Sequence, residues 1–198
     1  MACDFFTVDT IGLARAYVLF FIELASRQIL QVSVTEHPNG PWVTQQARNL
    51  CWSLEASGVR PKLLLRDRDS KFSFGFDAVL ANEGIGTVRT PFRTPKANGH
   101  AERWVGSVRR EFLDWLLVVN RHQSERVLCE YVDHYNHARP HRSLGLQPPR
   151  GSGPTTPIGP ILRRQRLGGL INEDERGQAR HGTEHEASTG LALPRLTE

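Results

Sequence analysis

No apolar run in these 198 residues is long enough to cross a bilayer. The most hydrophobic stretch, Tyr17 to Leu24, falls far short of the roughly 20 residues a spanning helix needs. No basic-then-apolar leader opens the chain. Cysteine is scarce: Cys3, Cys51 and Cys129 are odd in number, far apart and in apolar contexts. That excludes a disulfide frame and a cysteine zinc site, and reads as reduced core thiols. Aromatic residues vanish after Pro148: from Arg150 to Glu198 there is no Trp, Tyr or Phe. The expectation is a soluble, cytoplasmic protein without a membrane partner.

What is present suffices for a core, since 39% of the residues are apolar. The net charge of +4 and a pI near 9.3 lean toward an anionic partner without requiring one. Composition places a boundary near residue 149. Residues 1–149 carry recurrent aromatic and β-branched residues with regular turn signals. Residues 150–198 begin with a Gly-, Pro-, Ser- and Thr-rich linker and continue as a mixed-charge tail. Lacking aromatic anchors, that tail cannot easily offset its ordering entropy and is expected to be largely disordered, apart from a patch at Leu167 to Ile171 that can dock.

Within the first part, Cys3 to Val8, Ala16 to Glu23 and Gln28 to Val34 read as strands, the last two forming a hairpin. Pro41 after Asn39-Gly40 opens a helix to about Ser57, stopped by Gly58. Lys62 to Arg66 is a short buried strand, Phe72 to Asn82 a helix, and Ile85 to Arg89 another strand. Helices from about Asn98 to Val118 and from about Ser124 to His137 follow. Three antiparallel strands and then alternating helices and strands predict a mixed α/β sheet covered by helices. There is no internal repeat.

Three acids stand out. Asp4 lies in the apolar stretch CDFFTV, where a carboxylate must be paired, hydrogen-bonded or metal-bound, unless the strand frays at its terminus. Asp67 ends the run KLLLRD, at the strand edge where α/β sheets usually bind ligands, although Arg-Asp-Arg-Asp also suits an exposed turn. Glu102 is tested by helix geometry. At ~100° per residue, Ala101, Trp104, Val105, Val108, Phe112 and Trp115 share one face, while Glu102, Gly106 and Arg109 form a separate stripe. Such a stripe is often simply a solvated surface. Yet Glu102 is the single acid from Arg89 to Arg110, among Arg89, Arg93, Lys96, Arg103, Arg109 and Arg110. One acid in a basic neighbourhood suits a metal ligand beside a phosphate track.

The segments CDFFTV, LLRDRDSKF, NGHAERWVGSVRREFL and YVDHYNHARPHRSLG, in that order, resemble the catalytic core of retroviral-type integrases and insertion-sequence transposases. The resemblance runs over about residues 3–149, and the 35-residue step from Asp67 to Glu102 fits it. It implies a ribonuclease-H-like fold: a five-stranded mixed sheet flanked by helices, with the first Asp on the first strand. It further implies that Asp4, Asp67 and Glu102 are the catalytic, metal-binding triad for two Mg²⁺ ions, for which Mn²⁺ could substitute, with Asp4 bridging both. DNA, as element ends and target, is the implied partner, and a homo-oligomer the implied assembly. Arg93, Lys96, Arg103, Arg109, Arg110, Arg139 and Arg142 are the candidate DNA contacts. Arg93 and Lys96 precede Asn98-Gly99, a pair suited equally to a mobile loop or a helix cap.

Two departures qualify the resemblance. Asp69 stands where the family usually has Gly; Asp tolerates a left-handed turn, so the turn is expected to survive with a stray carboxylate nearby. The upstream DNA-binding region usual in the family is also missing, which points to a fragment, a mis-set start or a decayed element. His134, His137 and His141 have ligand-like spacing but no Cys among them, and Pro140 breaks their register. They read better as part of a segment, with Tyr135, Asn136 and Arg139, that closes the domain. Trp42, Trp52, Trp104 and Trp115 are expected in the core. Three functions follow: a Mg²⁺-dependent transposase or integrase core, an inactive remnant that only binds DNA or a sister transposase, and a ribonuclease-H-like hydrolase without strand transfer.

Overall fold

The computed structural model describes residues 1–90, 99–151 and 160–176. Arg93, Lys96 and the tail beyond Arg176 lie outside the described residues. The sheet is built from β1 (Ala2–Asp9), β2 (Arg15–Ile22), β3 (Ile29–Thr35), β4 (Leu63–Arg66) and β5 (Gly86–Arg89). Its order is β3-β2-β1-β4-β5: the first three strands are antiparallel, and β4 and β5 run parallel to β1. Among the described residues, four helices cover it, α1 (Gly40–Ser57), α2 (Phe74–Asn82), α3 (Gly99–Glu111) and α4 (Arg121–His137). This is the expected five-stranded mixed sheet with helices on both faces.

Local chemistry explains the element ends. The Asn39 side chain accepts from Trp42 N to cap α1, Pro41 occupies its first turn, and Gly58 ends it in a left-handed conformation (φ 71°). Ser73 caps α2 through Phe76 N. Helix α3 stops at Glu111, seven residues before the expected Val118. Phe112 leaves helical space (φ −153°) and stacks on Tyr131 at 5.5 Å. The chain continues as a 3-10 turn, and the Trp115 indole N–H donates to Arg110 O, satisfying a carbonyl at the helix end.

That early stop corrects the tryptophan expectation. Trp104 is core (1% exposed), but Trp115 is 73% and Trp52 66% exposed, and Trp42 is only partly buried. A helical wheel assumes that the helix continues; beyond Glu111 the face it assigns to Trp115 does not exist.

Alternation along the strands splits the core in two. Ala2, Phe6, Val8, Val18 and Phe20 face one side, with Trp104 and Val108 of α3 and Leu128, Tyr131 and Tyr135 of α4. Cys3, Leu19, Phe21 and Leu64 face the other, with Val43 and Leu50 of α1 and Phe76 and Leu80 of α2. Asn136 stitches α4 to the sheet edge. Its amide accepts from Ile29 N and donates to Ile29 O, both at 2.9 Å, and the residue is 3% exposed. Ile29 sits where the β2–β3 register shifts, so these two backbone groups need a side-chain partner.

The docking patch expected at Leu167 to Ile171 is part of a longer ordered segment, residues 161–176. Strands β6 (Ile161–Arg166) and β7 (Ile171–Arg176) form an antiparallel hairpin against α4. Glu173 reaches His134 Nδ1 at 2.7 Å, Arg166 reaches Asp133 at 2.8 Å, Leu167 N donates to Glu130 at 2.9 Å, and Ile171 joins the core. Ion pairs and a backbone cap replace the absent aromatic anchors.

Asn136→Ala leaves Ile29 N–H and C=O unpaired in a buried site. At about 1–3 kcal/mol for each unsatisfied group, urea unfolding should show a loss of about 2–4 kcal/mol.

Candidate active site

Strand register decides what the two aspartates share. In the parallel β1–β4 pair, Ala2 lies opposite Leu65. Met1 secures that edge: its carbonyl accepts from Leu65 N and its amino group donates to Leu63 O, both at 2.9 Å. Asp4 is two residues beyond Ala2, and Asp67 two beyond Leu65. Asp4 therefore projects to the side of Ala2, and the same alternation carried one residue past the end of β4 puts Asp67 on the side of Leu65, with the two strands spaced about 4.8 Å apart. That is the α3 side of the sheet, since Ala2 and Leu65 belong to the Trp104 core. Arg66, one residue earlier, points the opposite way and is 2% exposed, forked onto Asp77 of α2 at 3.0 and 2.6 Å.

Helix α3 runs along the same face in the direction of β1. Near its start, Trp104 packs on Phe20, which pairs with Asp4, at a centroid distance of 4.2 Å. Further on, the Arg109 guanidinium donates to Thr7 O at 3.0 Å. Leu113 then lines a small cavity with Val8 and Asp9. Glu102 shares Arg109's stripe, about 10 Å back along the helix. Asp4 is about 10 Å back from Thr7 along β1. Glu102 is thus carried toward the Asp4 end of β1, although its side chain is exposed. Among the described residues, no three His, Cys, Asp or Glu side chains close into a group that could hold a metal ion.

The electrostatics centre on Asp67. Partial burial pushes its carboxyl above the usual range, against the lowering effect of the Asp69 N–H bond to Oδ1 (3.1 Å). Asp69 raises it further, while Lys71 and Arg66 pull it down. Asp4 accepts from Phe5 N at 2.7 Å. Asp69 does not adopt the left-handed turn expected of it; its φ is not positive. Its carboxylate instead binds Lys71 N and Nζ at 2.9 and 2.7 Å, closing a tight local loop that makes left-handed geometry unnecessary. Lys71 Nζ also lies 5.4 Å from the rings of Phe5 and Tyr17. Lys71 is the site neighbour that sequence reasoning missed, although its spacing in DSK offered the signal.

The candidate DNA contacts divide. Arg109 lies on the Glu102 stripe. Arg103, Arg110, Arg139 and Arg142 line a separate cavity on the other flank of α3. Arg139 is committed to Glu111, Nε donating to both carboxylate oxygens at 2.9 and 3.1 Å, and Tyr131 OH donates to Glu111 at 2.7 Å. Burial pushes the Glu111 carboxyl up, but these two donors hold it below the usual range. Burial also pushes the Tyr135 phenol up to about 12. The three histidines have separate partners: His134 meets Glu173, His137 meets Asp133, and His141 packs edge-on against Tyr135 at 4.6 Å.

This architecture is ribonuclease-H-like. It is shared with the HTLV-2 integrase catalytic core domain in complex with magnesium, in its trimeric form (TM-score 0.55, 12% identity, 73% of this chain and 89% of that one). It is also shared with the catalytic domain of Mos1 mariner transposase (TM-score 0.54, 12% identity, 67% and 68%). In sequence, residues 83–149 match the integrase core domain family. The putative transposase InsD for insertion element IS2E of Escherichia coli (strain K12) is 31% identical over 67 residues, covering 34% of this chain and 31% of that protein. The chain thus spans less than a third of this relative's length. The resemblance to integrase and insertion-sequence transposase cores holds. Its family match contains Glu102 and the Tyr135–His141 segment but neither Asp4 nor Asp67, which enter through the strand register.

The raised Asp67 carboxyl has a stability consequence. A group that holds its proton more tightly when folded stabilises fully below its unfolded value, near 3.8, and that contribution is lost as pH rises through the folded value. Asp67→Asn keeps an acceptor for Asp69 N–H and removes the charge. Thermal melts without divalent metal should show the variant melting higher than the parent at pH 7, with the gap closing below about pH 4.

Proposed function

We propose that this chain is the core of a DDE-type transposase or integrase, which cleaves DNA phosphodiester bonds and joins the resulting ends. The observation that supports this reading most is the parallel register abreast of which Asp4 and Asp67 lie, with α3 bringing Glu102 over the same face. Three carboxylates form an all-oxygen donor set, which fits a hard cation such as Mg²⁺ or Mn²⁺. When bound, the metal would activate a water or a DNA 3′-OH and offset charge on the leaving oxygen. Asp4 on β1 and Asp67, directly after β4, would supply the ligands on the sheet side. Glu102 sits on an exposed helical turn and would complete the set by a side-chain rotation. Arg109, tied to Thr7 O beside this row, would hold a phosphate against the site. The DNA partners, element ends and target, and a homo-oligomeric assembly belong to the same reading.

A second reading, an inactive remnant that binds DNA or a partner transposase, draws on two observations. Glu102 does not close onto the aspartates, and Asp69 places a further carboxylate next to Asp67.

Nicking of supercoiled plasmid separates the two. An active core should nick with Mg²⁺ or Mn²⁺ and stop on chelation, and Asp4→Asn, Asp67→Asn and Glu102→Gln should each lower the rate by ~100-fold or more. Transfer of a labelled 3′-OH end to plasmid would establish joining as well as cutting. Nicking that survives in all three variants would end the proposal.

A further inference from the structure

On the flank of α3 away from Arg109 lies an open cavity of about 540 Å³ between α3, the β2–β3 hairpin and the turn after α4. Arg103 and Arg110 come from one helix stripe, Arg27 from the hairpin, and Arg142 and His141 from the turn. None of the described residues lining it is acidic. Arg139 also lines it, with its charge matched by Glu111, but Arg27, Arg103, Arg110 and Arg142 form no ion pair among the described residues. Four uncompensated guanidinium groups around one cavity repel each other unless an anion joins them.

Two further features point to a ligand. Trp104 and His141 both line the cavity, and each has a buried ring nitrogen without a hydrogen-bond partner, Nε1 of Trp104 (1% exposed) and Nε2 of His141. Trp104 offers a donor only, so its missing partner is an acceptor. Arg27 holds a left-handed backbone conformation (φ 67°) in the hairpin, with Nη1 donating to Leu24 O. A non-glycine residue held in that region is over-determined by its surroundings, and here the geometry keeps its charge at the cavity rim.

The geometry points to a phosphate-binding cleft for a DNA strand that passes outside the candidate active site. This rests on the DNA-processing reading above and extends it: α3 carries a catalytic flank through Glu102 and Arg109, and a DNA-anchoring flank through Arg103 and Arg110. The aspartate face repels phosphate when no metal is bound, whereas the acid-free cleft does not. DNA binding by the cleft is therefore independent of divalent metal.

Binding of a labelled 20-bp duplex in EDTA, followed by anisotropy across a salt series, tests this. The Arg27→Asn/Arg142→Gln pair should weaken binding ~10-fold or more and lower the salt slope by about 2. Asn tolerates the left-handed position of Arg27, and circular dichroism confirms the fold. Arg48→Gln/Arg60→Gln removes equal charge elsewhere and should change affinity far less. In ¹⁵N–¹H spectra, the Trp104 indole resonance should move on duplex addition, while those of Trp42 and Trp52 stay in place. An unmoved Trp104 resonance together with wild-type affinity in the cleft variant overturns the proposal. So does pyrophosphate that moves the resonance and is not displaced by duplex, which would mark a site for a free anion. Plasmid nicking is scored separately, so a chain that binds in EDTA but never nicks retains the cleft and loses the nuclease.

Discussion

The parallel pairing of β1 with β4 is the constraint on which the rest of the structure depends. It is a short contact, anchored by Met1 at one edge and the Ala2–Leu65 pair. A parallel pair cannot be closed by a tight turn and needs a long crossover, here through β2, β3 and α1. The same pairing fixes phase. Had β4 slipped by one residue, Asp67 would face α2 and Arg66 would face α3. The Arg66–Asp77 fork opposes that slip, because it requires Arg66 on the α2 side.

Packing on the other side of the sheet positions the helix that carries Glu102. Trp104 is the knob: it touches Phe6, Phe20 and Tyr135 with ring centroids at 5.8, 4.2 and 6.4 Å. Around it, Glu111 collects Arg139 and Tyr131, and Asn136 holds the edge strand. The Tyr135–His141 segment thus serves the fold first: it locks α4 to α3 and to β3. By fixing α3, it also fixes where the helical turn that carries Glu102 stands relative to β1. A mutation there would act on the candidate site through geometry without touching it.

Charge is distributed unevenly around α3. On the β1 side, carboxylates stand close enough that Asp67 feels burial and Asp69 together. On the other side, guanidinium groups gather with no acid among the described lining. Each arrangement is unfavourable alone and relieved by a ligand of opposite sign. Clustering of like charge where folding does not require it is the ground on which both binding proposals rest.

The sequence by itself determined the order and kind of the elements from β1 to α4. Alternation fixed the strands, Asn39, Pro41 and Gly58 bounded α1, and the basic stretch around Glu102 marked α3 as unusual. It also singled out Asp4, Asp67 and Glu102, because an acid in an apolar strand or a lone acid among arginines stands out locally. Only the tertiary structure decided the rest. That Asp4 lies on β1 and Asp67 just past the end of the adjoining β4 comes from a pairing across more than sixty residues, which no local pattern encodes. The early end of α3 comes from Phe112 turning onto Tyr131, a contact made by another helix, and it is what leaves Trp115 exposed. At residues 161–176 the sequence offered only the docking patch at Leu167 to Ile171, and the hairpin around it with its ion pairs to α4 belongs to the tertiary structure. Local sequence sets what each segment can be; which side chains share a site depends on long-range register, and that is settled only when the sheet closes.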